Sequence, residues 1–345
     1  MKNKSINRRL PAEWEPQSAI QFTLPHANSD WAPYLEEVLA CFRNFLTLLT
    51  QTQRVVLVCD HKARAKAALG AGVDWQNILL VELPSNDSWA RDHGAITILE
   101  GDRPILLDFI FNGWGEKFPA AKDNLITTGL WKAGIFKDCE KREIALVLEG
   151  GAIESDGLGT IISTSQCLDH IKRNPSYKRG ELLKRLKEEL GATRILMLDH
   201  GHLIGDDTDA HIDTLVRFCD ARTLAYVKCD DSSDVHYEGL KQMEAQLQTW
   251  TTLEGLSYDL IPLPLPAPCY DPVDGHRLPA TYANFIIAND WVFVPTYQQE
   301  KDQLAIDRLQ ACFRDRKVVG INALPIIRQH GSLHCLCMQY PAGVL

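Results

Sequence analysis

The chain has 345 residues, of which 45% are hydrophobic and 23% charged, and its formal charge is −9. These values suit about two folded domains of average size, or one large one, and exclude a disordered, collagenous or disulfide-framed chain. The acidic balance disfavours nucleic acid as a partner and suits a cationic one.

The opening, MKNKSINRRLPAEW, is basic without an apolar stretch behind it. No secretory leader is read there, and no run approaches the ~18 apolar residues of a membrane helix. Residues 32–51 carry apolar side chains at helical spacing and lead into the strand-like run RVVLVC at 54–59. Five apolar segments then begin near Ile78, Ile144, Ile195, Leu260 and Val318, spaced 51–66 residues apart. Each ends in a polar turn and is followed by a second strand-like run, at 95–99, 160–164, 213–218, 284–288 and 334–340. Helical patterns at 179–190, 238–250 and 299–313 lead into the next segment. The unit read from the pattern is therefore strand, acidic turn, strand, helix, and neighbouring copies must stack to bury it. The stretch LIPLPLPAPCYDP at 260–272 reads as a loop or edge strand. No linker or low-complexity tract divides the chain, so residues 1–345 are expected to form one domain. Ten cysteines are scattered without a CxxC pair, which points to reduced, mostly buried thiols and a cytoplasmic setting.

Four clusters at the ends of these runs carry candidate chemistry. The first is Asn86-Asp87-Ser88-Trp89-Ala90-Arg91-Asp92. Here Asp92 is an available acid, Trp89 a slot wall or ordinary packing, and Arg91 a structural ion-pair partner. The second is Glu149-Gly150-Gly151 with Asp156-Gly157, whose paired glycines suit a tight turn or a close backbone approach. The third runs from Asp206 to Asp213. The stretch His211–Phe218 alternates as a strand would, which puts His211 and Asp213 on one face, an imidazole and a carboxylate in one site. The run 206–213 also offers oxygen and nitrogen ligands for a metal, or a solvated acidic turn; it has neither the calcium-loop pattern nor HExxH. The fourth is His330-Gly331-Ser332-Leu333-His334-Cys335. Cys335 at the start of a strand could reach a cleft. The pleat turns adjacent His334 to the opposite side, so His211 is the better base. Cys337 reads as packing.

Together these clusters resemble the agmatine deiminase family, the porphyromonas-type peptidylarginine deiminases of the guanidino-modifying pentein superfamily. The resemblance rests on Pro11-Ala12-Glu13-Trp14-Glu15-Pro16, Asn86 through Asp92, Phe111-Asn112-Gly113-Trp114-Gly115, Glu149-Gly150-Gly151 with Asp156-Gly157 and Gly159-Thr160, Asp206 through Asp213, and Leu333-His334-Cys335. Ala210 and His330 stand where the family pattern has glycine, Ser332 where it has asparagine, and Cys337 where threonine is common.

The resemblance implies an α/β fold, a five-bladed pseudo-symmetric propeller with the site at its centre. It implies deimination of agmatine to N-carbamoylputrescine and ammonia, with no metal or organic cofactor. Cys335 would be the nucleophile, His211 the acid and base, and Glu149 the residue orienting His211. Asp92 and Asp213 would grip the guanidinium, with Trp89 and Asp207 also binding substrate. The partner is then a small cationic guanidino compound, with neither nucleic acid nor membrane; a homo-oligomer is compatible. Alternatives are arginine or peptidyl-arginine deimination, amidino transfer, a metal-dependent hydrolase built on Asp206–Asp213, and an inactive binding protein.

Overall fold

The computed structural model describes residues 8–136 and 138–345. The basic opening 1–7 lies outside the described residues.

Five sheets repeat one plan: an antiparallel pair extended by a parallel strand. Ile96–Glu100 pairs antiparallel with Arg103–Ile110, which pairs parallel with Glu140–Val147. The same order joins Glu154–Ser155, Thr160–Thr164 and Arg194–Leu198. It recurs in Val216–Phe218, Thr223–Lys228 and Asp259–Pro264, and again in Ile286–Ile287, Trp291–Thr296 and Lys317–Asn322. In the fifth, Cys337–Pro341 from the end of the chain pairs antiparallel with Gln17–Thr23 from its beginning. Val55–Cys59 and Ile78–Glu82 then extend that sheet in parallel.

A parallel neighbour needs a crossover, and a helix supplies each one. Ile126–Lys132, Arg179–Leu190, Tyr237–Leu247 and Lys301–Cys312 lie between the central and edge strands of four sheets, and Leu35–Leu49 and Lys62–Leu69 make the two crossovers of the fifth. Leu35–Leu49 shows why such segments are helical. Val38, Phe42, Phe45, Leu46 and Leu49 recur at three- and four-residue steps and are all buried. Phe45 meets Phe22 and Phe293 edge to face, tying the helix to two sheets.

The expected helices and edge strands are present, including Asp259–Pro264, an edge strand where Pro262 and Pro264 are tolerated. The expected repeat unit needs correction. Central strands such as Arg103–Ile110 and Thr223–Lys228 follow tight hairpins and were not expected. The polar segments therefore do not sit inside a unit; they carry the chain from the edge strand of one sheet to the first strand of the next. The run 211–218 is also not one strand: Ile212–Thr214 is a 3-10 turn, and the strand begins at Val216. Likewise His334–Leu336 is a 3-10 turn before Cys337–Pro341. Among the described residues no helix is long and apolar enough to cross a membrane.

Candidate active site

Each of the five connections between sheets delivers a polar side chain to one buried region. Asp92 comes from the connection between Glu82 and Ile96, and Glu149 from that between Val147 and Glu154. His211 and Asp213 come from the third connection, Asn284 from the fourth and Cys335 from the fifth. All six residues are buried.

Gly151 shows how closely they converge. A Cβ there would lie 2.5 Å from His211 Nδ1, 2.9 Å from Asp92 Oδ1 and 3.2 Å from Asp213 Oδ2. Three groups from two other connections surround this one backbone position, and glycine is the residue that leaves room for them. The close-approach reading of the paired glycines holds. So does the pairing of His211 with Asp213, although a turn rather than a strand produces it.

The hydrogen bonds of the cluster are incomplete. Asp92 accepts from the Trp114 indole N–H at 2.9 Å and from the Gly151 N–H at 3.0 Å. Asp92 Oδ1 is 3.7 Å from His211 Nδ1. Asp213 Oδ2 accepts from His334 Nδ1 at 2.7 Å and faces Cys335 Sγ at 3.8 Å. Among the described residues, both ring nitrogens of His211 and the Asp213 Oδ1 atom have no hydrogen-bond partner. Buried polar atoms are rarely left so, because each unmade bond costs on the order of 1–3 kcal/mol. Asp213 Oδ1 is thus placed to accept from a ligand N–H, and the His211 ring to exchange a proton with the ligand.

The charges fit that reading. Burial raises the Asp92 carboxyl to about 6, with Asp213 and Glu149 adding to the rise and His211 opposing it. Burial would lower the His211 imidazole, but Asp92, Cys167 and Glu149 outweigh it and lift the ring to about 10. Burial, Asp213 and Asp92 all push the Cys335 thiol well above its ordinary value. A positive charge entering between the two acids is what such a thiol lacks.

Glu149 lies in reach of this cluster without a hydrogen bond to His211. Both its oxygens accept from Arg173 Nε, at 2.9 and 3.0 Å. Ligand atoms of Glu149, Cys167 and His211 lie within 4.8 Å of one another. Arg91 departs from its expected ion pair. It donates to Gln339 Oε1 at 2.6 Å and packs against Met338 Sδ and the His334 carbonyl. Cys337 is packing, as read: it is buried with its thiol donating to the His334 carbonyl at 3.5 Å.

The acids of the 206–213 run do not converge. Asp206 Oδ2 accepts from the Ala210 N–H, Asp209 pairs with Arg173 and Lys117, and Asp213 is held by His334. The geometry thus disfavours a metal site built on that run. Asp209 and Ala210 are both left-handed, at φ 69° and 60°. His330 is left-handed too, at φ 67°. Two of the departures from the family pattern thus replace glycine where glycine is conformationally favoured.

A cavity of about 390 Å³, open to solvent, leads to Asp92 and Cys335. Its wall includes Trp89, Trp114 and Phe118, with Asp30, Asp87 and Asp207 toward the outside. Among the described residues no lysine or arginine lines it, and His330 is its one basic residue. Burial and neighbouring Asp206 raise the Asp207 carboxyl to about 6, against the pull of His330. Trp89 is fixed by Gly331, where a Cβ would come within 2.3 Å of the indole ring. Trp114, Asn284 and Arg173 were not singled out from sequence. Asn284 Oδ1 accepts from the Cys335 N–H at 3.3 Å and lies 3.5 Å from its sulfur. The fivefold recurrence of the connections is the signal that could have found it.

The sequence profile of the Porphyromonas-type peptidyl-arginine deiminases matches residues 9–341. The chain belongs to that family. A candidate arginine deiminase from Porphyromonas gingivalis is 47% identical, with a TM-score of 0.93 over 97% of this chain and 99% of its own. A C. jejuni agmatine deiminase variant, solved with substrate bound, is 36% identical, with a TM-score of 0.90 and 96% of each chain covered. A Vibrio parahaemolyticus protein named as a candidate agmatine deiminase is 31% identical over 96% of each chain. The family assignment accounts for the α/β architecture and for convergence of its motifs.

Proposed function

We propose that the protein hydrolyses agmatine to N-carbamoylputrescine and ammonia. The observation that carries this reading is the set of unpartnered atoms on His211 and Asp213 beside Asp92 and Cys335, at the base of an acid-lined cavity. The agmatine deiminases among the relatives support it.

The guanidinium enters between Asp92 and Asp213, whose carboxylates accept its N–H groups. Such charge-assisted bonds contribute roughly 1.5–3 kcal/mol each. Its positive charge lowers the Cys335 thiol, which releases its proton to solvent, and the thiolate attacks the central carbon. His211, protonated at neutral pH, gives its proton to one amino group, which leaves as ammonia. A thiouronium remains on Cys335. Water, deprotonated by His211, adds to that carbon; the C–S bond breaks and the ureido product departs. Glu149 supports the charged form of His211 from nearby. Asp207, with Trp89 along the wall, faces the far ammonium of agmatine. The α-carboxylate of arginine would meet the same acids and be repelled. The chemistry uses a thiol, an imidazole and carboxylates, and requires no metal or organic cofactor.

The same reading takes residues 1–345 as one domain, the five sheets as blades about a pseudo-fivefold axis, and the ten free thiols as those of a cytoplasmic protein. The test measures ureido product from agmatine, arginine and a peptidyl-arginine side by side. Agmatine should be turned over fastest, activity should survive EDTA, and iodoacetamide should abolish it. Faster turnover of either other substrate overturns the assignment.

A further inference from the structure

His334 was set aside as a base because strand pleating would turn it away from Cys335. It lies on a 3-10 turn instead, and its ring is held between two carboxylates. Nδ1 is 2.7 Å from Asp213 Oδ2, and Nε2 is 2.9 Å from Glu13 Oε2. All three side chains are buried. A carboxylate oxygen accepts and an imidazole nitrogen can face it only as a donor, so two such contacts require both ring protons. Glu13 is kept ionised despite burial by Arg217 and His334. Asp213 is likewise held below the usual carboxylate range by His334, against burial.

We propose that His334 is a charged positioning residue: an imidazolium that fixes Asp213 and offsets its charge at the oxygen facing the nucleophilic sulfur. This deepens the deiminase reading and rests on it. The bond at Oδ2 leaves Oδ1 free, and Oδ1 is the atom without a partner. The contact to Cys335 Sγ is through Oδ2, the oxygen that His334 already binds. Forming a thiolate against an uncompensated carboxylate would be far less favourable. The other charge about the sulfur is Asp92; those beyond His334 are Arg217, Glu154 and Arg91, which surround Glu13. Arg217 is committed to Glu13, Glu154 and the Phe285 carbonyl. Within hydrogen-bond distance of Asp213, His334 is thus the cation.

Two measurements test this without substrate, so they stand apart from the choice of agmatine. Nitrogen-15 NMR of histidine-labelled wild-type protein should show both His334 ring nitrogens protonated at neutral pH; a single protonated nitrogen overturns the proposal. Iodoacetamide labelling of Cys335, followed by peptide-resolved mass spectrometry, should slow about tenfold in folded His334→Gln at a fixed pH below the thiol limb, as a shift of about one pH unit requires. An unchanged rate overturns it. With substrate, the loss should fall on kcat more than KM and narrow as pH rises, which a merely loosened fold would not do.

Discussion

Two buried polar clusters lie side by side in this protein, sharing His334, and they are built on opposite principles. Around Arg217 the guanidinium bonds Glu13, Glu154 and the Phe285 carbonyl. Glu13 and Glu154 also accept the Ile287 and Phe218 N–H groups. Around Gly151 the charges are as buried, but His211 and Asp213 keep unpartnered atoms. The first cluster joins the opening motif at Glu13 to three sheets. The second holds its charges unsatisfied until a cation arrives. Satisfied burial makes structure; unsatisfied burial, held in place by that structure, makes a site.

The largest effect should come from Cys335→Ala, lowering kcat by at least about 10⁴-fold while the circular dichroism spectrum stays that of the wild type. Substantial residual turnover would remove the nucleophile from the second cluster. In the first, Arg217→Met leaves two buried carboxylates without their cation. Urea unfolding should show a loss of about 3–5 kcal/mol; a neutral result would mean that the two clusters do not differ as described.

Asp213→Asn should lower kcat/KM by about 10²-fold, the scale of one charge-assisted bond, with KM rising. The pH profile is finer. Asp92 titrates at about 6, above its ordinary range, and must be ionised to bind a guanidinium. The free enzyme should therefore lose kcat/KM below about pH 6, roughly tenfold per unit. It should lose it again above about pH 10 as His211 gives up its proton. Asp92→Asn should remove the acid limb from whatever activity remains. The smallest effect concerns the left-handed Ala210: Ala210→Gly should stabilise the protein by about 1 kcal/mol in urea unfolding, with kcat unchanged.

Much of this was legible in the chain. Helices such as Leu35–Leu49 and Arg179–Leu190 announce themselves because an apolar stripe at 3.6-residue spacing has one way to be buried. The edge strands were equally visible as short apolar runs. Thr160–Thr164 was visible too, but other central strands such as Arg103–Ile110 were not, because a tight hairpin such as that near Gly101 merges two runs into one. Asp92, Glu149, His211, Asp213 and Cys335 could be named because their residue types are reactive and their motifs resemble a family. Asn284, and Trp114 within its own motif, received no role, since an amide or an indole becomes a site residue through the partner it meets.

The sequence alone determined which segments are helix or edge strand, which reactive side chains the polar connections carry, and the family to which they belong. Tertiary structure decided which of those side chains touch. Contacts across 50 to 320 positions, from Glu13 to His334 or from Asp92 to Gly151, depend on how five sheets stack. Local spacing fixes the face of an element, but only packing fixes the distance between two elements, and burial there sets the charge each group carries.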